Sequence, residues 1–228
     1  MQATRGKDGL MKKIAVLGTG MVGNAIGTKM IALGYEVCMG SRTAANEKAA
    51  AWVKANGSKA STGTFADAAA SADIIVLCTK GDATLEVLKL AKPENFAGKT
   101  VIDISNPLDF SKGMPPFLIP QWTNTNSLSE EVQKMLPGAR VVKSLNIVNC
   151  EIMVNPGKTG GEPTMFVAGN DSGAKEEVRG ILKEFGWTDI IDLGDLSGAR
   201  GLEMLLPVWL RTWQSTQNGH FAFKIVRQ

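Results

Sequence analysis

Short unbroken apolar runs alternate with segments whose apolar residues recur at helical spacing, and this alternation fills most of the chain. Ile14–Leu17 is the first run, followed by Val22, Ile26, Met30 and Leu33 on one helical stripe. Tyr35–Met39 opens a second strand–helix unit that runs to Asn56, and Lys59–Thr62 followed by Thr64–Ser71 reads as a third. Asp73–Cys78 carries Ile74, Ile75, Val76 and Leu77 without interruption, as suits a parallel strand covered on both faces. A short helix over Asp82–Lys89, with Leu85 and Leu88 turned inward, precedes a fifth strand at Lys99–Ile104. Ser127 and Glu130 have the spacing of a capping box for a helix through Met135, and Arg140–Leu145 reads as a sixth strand. After the polar break Asn155–Pro163 come a strand at Thr164–Ala168, a helix at Asp171–Phe185 and a strand at Asp189–Leu193. Strands and helices alternating in this way predict an α/β layer architecture with right-handed crossovers.

Two stretches break the rhythm. Asn106–Asn124 holds four prolines (Pro107, Pro115, Pro116 and Pro120), two phenylalanines and Trp122. An irregular stretch of this length reads either as a lid or cofactor-facing loop or as plain structural spacing. The last helix, about Arg200 to Thr216, carries Leu202, Leu205, Leu206, Val208, Trp209, Leu210 and Trp213 on more than one stripe. That pattern predicts substantial burial, in a core or a subunit interface, with a kink at Pro207.

The first strand–helix junction carries the clearest chemistry. It reads Gly18, Thr19, Gly20, Met21, Val22, Gly23, a glycine-rich turn between strand and helix. Gly18 allows a tight turn, Gly20 lets the backbone approach a pyrophosphate, and Gly23 permits close packing of helix on strand. The amides at the helix start then face the phosphates. The fold this implies is a Rossmann-like parallel sheet with helices on both faces and a smaller C-terminal α/β portion. Residues 12–150 form the dinucleotide-binding part. Residues 151–228 form the second portion, contributing to an acceptor cleft and to dimer contacts.

Selectivity is read at the end of the second strand. A carboxylate about 20 residues past the glycines holds the ribose of NAD. Here the only acid on that strand is Glu36, and Ser41, Arg42 and Thr43 follow it. A guanidinium fork flanked by hydroxyls suits a phosphate dianion, which points to NADP(H). The bland alternative makes Arg42 a surface charge and Thr43 the cap of a helix starting near Ala44.

Ligands of such sheets bind beyond the C-terminal strand ends. That rule adds Cys78, Thr79 and Lys80, then Ser105, Asn106 and Pro107, and finally Asn146. The two asparagines offer paired donor and acceptor atoms for a carboxamide or second substrate. Against this, Asn106–Pro107 also reads as a turn, Asn146 as a helix cap and Lys80 as a solvated charge. An alcohol dehydrogenase needs a base, and the chain has one histidine, His220, and one tyrosine, Tyr35. This scarcity favours a hydride acceptor needing no side-chain base, held at contact distance. Lys80 and Lys143 stay open as alternative bases. No catalytic side chain is assigned, with Asn146 as a possible orienting group.

Composition narrows the partners. The chain has 228 residues with 44% hydrophobic content, a formal charge of +3 and 6% aromatics, without a basic run of the kind used on nucleic acid. No stretch approaches the eighteen or so apolar residues that span a bilayer. Three unclustered cysteines, Cys38, Cys78 and Cys150, argue against a disulfide framework or a zinc site and suit buried thiols in a reducing cytoplasm. Residues 1–10 are polar, and Met11 reads as a second possible start.

Four segments resemble, in order, the family of NADPH-dependent reductases of coenzyme F420 and the related oxidoreductase domain of STEAP-type metalloreductases. They are Gly18–Gly23, Gly40–Thr43, Val141–Asn146 and the long C-terminal stretch Gly194–Val226. The resemblance implies NADP(H) over Gly18–Gly23, with its 2′-phosphate at Ser41–Thr43. It places a deazaflavin or flavin ring (F420, FMN or FAD) between Asn146 and the C-terminal helix. It also implies direct hydride transfer and a cytoplasmic homodimer. F420-type members carry histidine at the Asn146 position and a proline-containing segment at Ile147–Cys150, whereas the metalloreductase domains share the asparagine. The loop Leu108–Trp122 has no clear counterpart, and the membrane half of the metalloreductases is absent. Two other readings stand beside this one: a non-catalytic NADP(H) sensor or scaffold, and a reductase of small imines or ketones.

Overall fold

A computed structural model describes residues 12–228, so the readings of residues 1–10 and of Met11 lie outside the described residues. The chain runs β1 (Lys13–Leu17), α1 (Met21–Ala32), β2 (Glu36–Ser41), α2 (Glu47–Asn56), β3 (Ala60–Thr64), α3 (Phe65–Ser71), β4 (Ile74–Leu77) and α4 (Gly81–Ala91). It continues with β5 (Thr100–Asp103), β6 (Leu108–Asp109), β7 (Phe117–Leu118), α5 (Leu128–Met135), β8 (Arg140–Lys143) and α6 (Cys150–Val154). The last elements are β9 (Thr164–Gly169), α7 (Ser172–Phe185), β10 (Asp189–Asp192) and α8 (Ala199–Thr216).

Eight strands make one sheet in the order β3-β2-β1-β4-β5-β8-β9-β10. Neighbours are parallel except β8 and β9, which pair antiparallel through Val142 with Gly169 and Lys143 with Ala168. This is a Rossmann-like sheet whose order reverses between β1 and β4, the crevice where such folds take ligands. The central strands are apolar on both faces because both faces are covered. Ile26, Met30, Trp52, Ile152, Val178 and Leu182 pack on one side, from α1, α2, α6 and α7. Phe65, Ala68, Val87, Leu88 and Val132 pack on the other, from α3, α4 and α5.

Several local expectations are corrected. Ser127 does cap α5, its hydroxyl accepting from the Glu130 amide at 3.2 Å, but the reciprocal half of the box is missing. The Glu130 carboxylate instead takes the Arg200 fork at 2.9 and 2.6 Å, because a guanidinium is the stronger donor. A full capping box forms at Thr64 and Asp67. α2 begins at Glu47 with Asn46 as its cap, three residues later than a Thr43 cap would set it. The proline-rich stretch contains the small hairpin β6–β7. α8 continues through Pro207, and its buried positions are Ala199, Leu202, Leu206 and Leu210 along with Glu203. Met204, Val208 and Trp213 of the same helix stay exposed at 38, 52 and 37%. The three cysteines are free and half-buried, not fully buried.

One charged centre joins these layers. Asp103 and Lys143 end β5 and β8 in direct register, so their side chains meet on one face of the sheet. Lys143 Nζ donates to Asp103 Oδ2 at 3.1 Å, to Glu203 Oε1 at 2.9 Å and to the Ser105 carbonyl. Glu203 comes from α8, and its carboxylate also accepts from the amides of Leu128 (2.9 Å) and Ser129 (3.2 Å), at the positive end of α5. The Ser129 hydroxyl donates to Asp103. Lys143, Asp103 and Glu203 are all wholly buried. Burial alone would lower the Lys143 pKa, but the two carboxylates outweigh it and hold the ammonium above its ordinary value. Burial pushes the Glu203 carboxyl up, with Lys143 opposing. Removing the cation leaves two sealed carboxylates uncompensated. Lys143→Met is therefore expected to cost about 3–5 kcal/mol, read as a lower urea midpoint at unchanged m-value.

Candidate active site

The glycine turn is built by close contact. Gly18 holds φ +130°, and a Cβ there would lie 2.5 Å from the Cys78 carbonyl oxygen. Gly23 has no room either, since its Cβ would meet the Gly18 carbonyl at 2.0 Å. A Cβ on Gly20 would have nothing within 4 Å, so this residue presents bare backbone on the open side of the turn. α1 starts there without a side-chain cap and without an acid in its first turn. Its leading amides are left without a side-chain acceptor from the cap or first turn, which fits the phosphates of a dinucleotide.

The Gly18 amide donates to the Gly40 carbonyl at 3.1 Å, which sets Ser41–Thr43 beside the turn. Ser41 is buried, and its hydroxyl donates to the Thr43 carbonyl at 2.6 Å, so it shapes the bend. Arg42 and Thr43 are exposed. Among the described residues Arg42 has no ion-pair or hydrogen-bond partner, and neither does Lys48 on α2. Lys48 shares an open groove with Thr19, Gly20, Asn24 and Met39. Glu36, the lone acid of β2, sits at the far end of that strand, 3.6 Å from Lys13. Glu151, paired with Lys158 at 2.5 Å, also lines this groove, which leaves Lys48 as its unpaired cation.

Beyond the strand ends lies a cavity of about 480 Å³. It gathers Met21, Val22, Cys78, Thr79, Lys80, Ser105, Asn106 and Asn146 of the residues proposed from sequence. Ser41, Arg42 and Thr43 lie beside the turn and line neither the cavity nor the groove. Pro107 lies behind the wall, its carbonyl accepting from Ile119 at 2.8 Å. Ser105 turns inward, its amide and hydroxyl both donating to Asp103 Oδ1, at 2.9 and 2.6 Å. Asn106 and Asn146 hold each other. Asn146 Nδ2 donates to Asn106 Oδ1, and Asn106 Nδ2 to the Asn146 carbonyl, both at 2.9 Å. Asn146 is no helix cap; Asn149 takes that role for α6.

Of the alternative bases, Lys143 is locked in the buried centre and does not line the cavity. Lys80 does line it and is exposed. Tyr35 is buried far from the strand ends, donating to Glu184 at 2.8 Å, and His220 lies outside the cavity at 3.3 Å from Glu151. Burial raises the thiols of Cys78 and Cys150 above their ordinary value, so they stay neutral there.

Several wall residues were not picked out from sequence: Leu108, Phe110, Cys150, Leu206, Trp209 and Leu210. Leu206 and Trp209 sat in a run read only as core or interface. Gly81 opens α4 directly after the Cys78–Lys80 segment and lines the cavity with it. A Cβ there would stand 1.9 Å from the Asn106 carbonyl.

The turn, the strand-end cavity and the sheet order define a dinucleotide-binding domain of the oxidoreductase class. The family model of NADP oxidoreductases, coenzyme F420-dependent, matches residues 13–107. A crystal structure of a candidate F420-dependent NADP-reductase from Arthrobacter sp. FB24 is 47% identical, covering 95% of this chain and 100% of that one, with a TM-score of 0.90. The F420-dependent NADP reductase of Methanocaldococcus jannaschii is 30% identical over 144 residues, 62% of each chain. Metalloreductase STEAP3 of Rattus norvegicus is 26% identical over 201 residues, 86% of this chain and 38% of that protein. The chain therefore spans well under two thirds of the metalloreductase and slightly under two thirds of the Methanocaldococcus enzyme. It belongs to the F420-dependent NADP oxidoreductase family. No helix among the described residues is long and apolar enough to cross a membrane.

The Gly81 contact yields a test. Gly81→Ala is expected to push the Asn106 turn away from α4 and to cost roughly 1–3 kcal/mol by overpacking. Thermal unfolding checks the cost in stability, and weaker NADPH binding by calorimetry checks the displaced turn.

Proposed function

We propose that this protein moves hydride between NADP(H) and coenzyme F420 or another flavin-like acceptor. The observation that carries the reading is the strand-end cavity, open beside the glycine turn, with its nearest lysine–carboxylate centre sealed behind it. The bound nicotinamide supplies the hydride. Gly18–Gly23 hold the pyrophosphate with the first amides of α1. Arg42 neutralises the 2′-phosphate. Cys78–Lys80 and Asn106 border the nicotinamide ribose, and Leu206 and Leu210 keep water from the reacting rings.

An acceptor that takes hydride without a side-chain proton donor fits these walls. Contact between two flat rings and exclusion of water then account for the rate. We read the protein as a homodimer, supported by the exposed apolar residues Met204, Val208 and Trp213 of α8 and by Met114 and Phe117 near the hairpin. Three free thiols support a reducing, cytoplasmic setting.

Removing the guanidinium removes charge-assisted bonds of about 1.5–3 kcal/mol, a change of roughly 10–100-fold. Arg42→Ala is expected to weaken NADPH by that factor in calorimetric titration and to leave NADH within about twofold. Equal effects on both cofactors would overturn the assignment of the 2′-phosphate.

A further inference from the structure

Four buried side-chain atoms among the described residues lack a hydrogen-bond partner: Arg140 Nε, Arg179 Nε, Asn146 Oδ1 and Trp209 Nε1. The two arginine atoms belong to side chains away from the strand-end cavity. The other two are neutral, one an acceptor and one a donor, and both residues line that one cavity. A buried polar atom left unpaired costs about 1–3 kcal/mol, so two in one cavity call for a ligand that answers both.

Each side chain is held in place. Asn146 is 2% exposed, and its Nδ2 donates to Asn106 Oδ1 and to the Leu202 carbonyl, both at 2.9 Å. Turning the amide over would set its oxygen against two acceptors, so the orientation is fixed with Oδ1 unanswered. Trp209 stacks on Phe221 at 5.2 Å and on Trp213 at 6.4 Å, which fixes the plane of its indole. Phe221 is itself secured by the C-terminal tail. The Phe223 carbonyl accepts from Thr164 at 2.9 Å, and Asp189 takes Lys224 at 2.9 Å and Arg227 at 2.6 Å. The remaining polar side chains at this end of the cavity are answered: Asn106 by Asn146, and Asn149 by the amides of Glu151 and Ile152 and by the Gly219 carbonyl.

We propose that Asn146 and Trp209 form a recognition pair for the imide edge of the hydride acceptor, Asn146 Oδ1 accepting from its ring N–H and Trp209 Nε1 donating to a flanking carbonyl. This rests on the reading of the acceptor as flavin-like, and it narrows that class. A quinone offers carbonyls only and leaves Asn146 unanswered. An ionised carboxylate or phosphate, even with Lys80 on the same wall, likewise offers acceptors only and leaves Asn146 unanswered. The pyrimidinedione of a flavin or deazaflavin carries an N–H between two carbonyls and satisfies both atoms. The carboxamide of the nicotinamide has the same chemistry, so the experiment must separate the two.

The test compares riboflavin and 5-deazariboflavin with their N3-methyl derivatives, using ring fluorescence for binding and loss of NADPH absorbance for turnover. The wild-type protein is expected to bind each N3-methyl compound at least about 10-fold more weakly than its parent. In Asn146→Ala that discrimination falls below about threefold. Trp209→Phe, which keeps the aromatic stack, weakens both parents about 10-fold and preserves the discrimination. Equal binding of parent and methyl compounds by the wild-type protein overturns the proposal. So does Asn146→Ala weakening NADPH while keeping the parent–methyl discrimination, which would give the pair to the nicotinamide. If neither ring binds while NADPH does, the flavin-like reading itself falls, and this inference with it.

Discussion

A single lysine, enclosed by two carboxylates and away from water, sets the geometry on which the rest of this molecule depends. Lys143 and Asp103 end neighbouring strands, and Glu203 reaches them from the C-terminal helix. An unpaired charge at that depth is costly, so the three groups require one another. Their pairing fixes α8 over the strand ends, and α8 supplies Leu206, Trp209 and Leu210 to the cavity wall. Glu203 also fastens the start of α5 through two amides, which holds the chain just after the irregular 106–124 stretch. The ion centre is thus structural: it shapes a largely apolar cavity from behind and contributes no proton to it.

The two ends of the ligand path rely on different physics. At the ribose end, open backbone, an uncapped helix start and the unpaired Lys48 favour an anion in a solvent-facing groove, whose Glu151 is already paired with Lys158. At the other end the wall is mainly apolar, and the few polar atoms hold fixed directions. In the proposed function, affinity and cofactor choice arise at the first, and selection of the acceptor at the second. This division explains why the chain manages with one histidine and one tyrosine, neither of them in the cavity.

Much of the fold was legible because local rules suffice for it. Unbroken runs such as Ile74–Leu77 mark strands covered on both faces, and the glycine spacing at 18, 20 and 23 marks the turn. The residues after β4, β5 and β8 followed from strand polarity alone, and the structure gathers most of them at one cavity. What escaped is set by long-range contact. Lys143 was open as a base because its two carboxylates lie 40 and 60 residues away in sequence. Glu130 was given to its own cap, and Arg200, 70 residues on, takes it. The apolar α8 pattern could not say which stripe is buried, because the answer depends on where Glu203 docks. Trp209 passed for core because periodicity does not report an indole nitrogen without a partner.

The central claim is direct hydride transfer across the strand-end cavity, and isotope transfer tests it most directly. NADPH deuterated at the reactive nicotinamide C4 position would be mixed with the protein and a 5-deazaflavin, whose C5–H bond does not exchange with water. The account predicts that the deuterium appears at C5 of the reduced deazaflavin in step with NADPH oxidation. Oxidation that leaves C5 unlabelled, or no oxidation with both compounds bound, would contradict it.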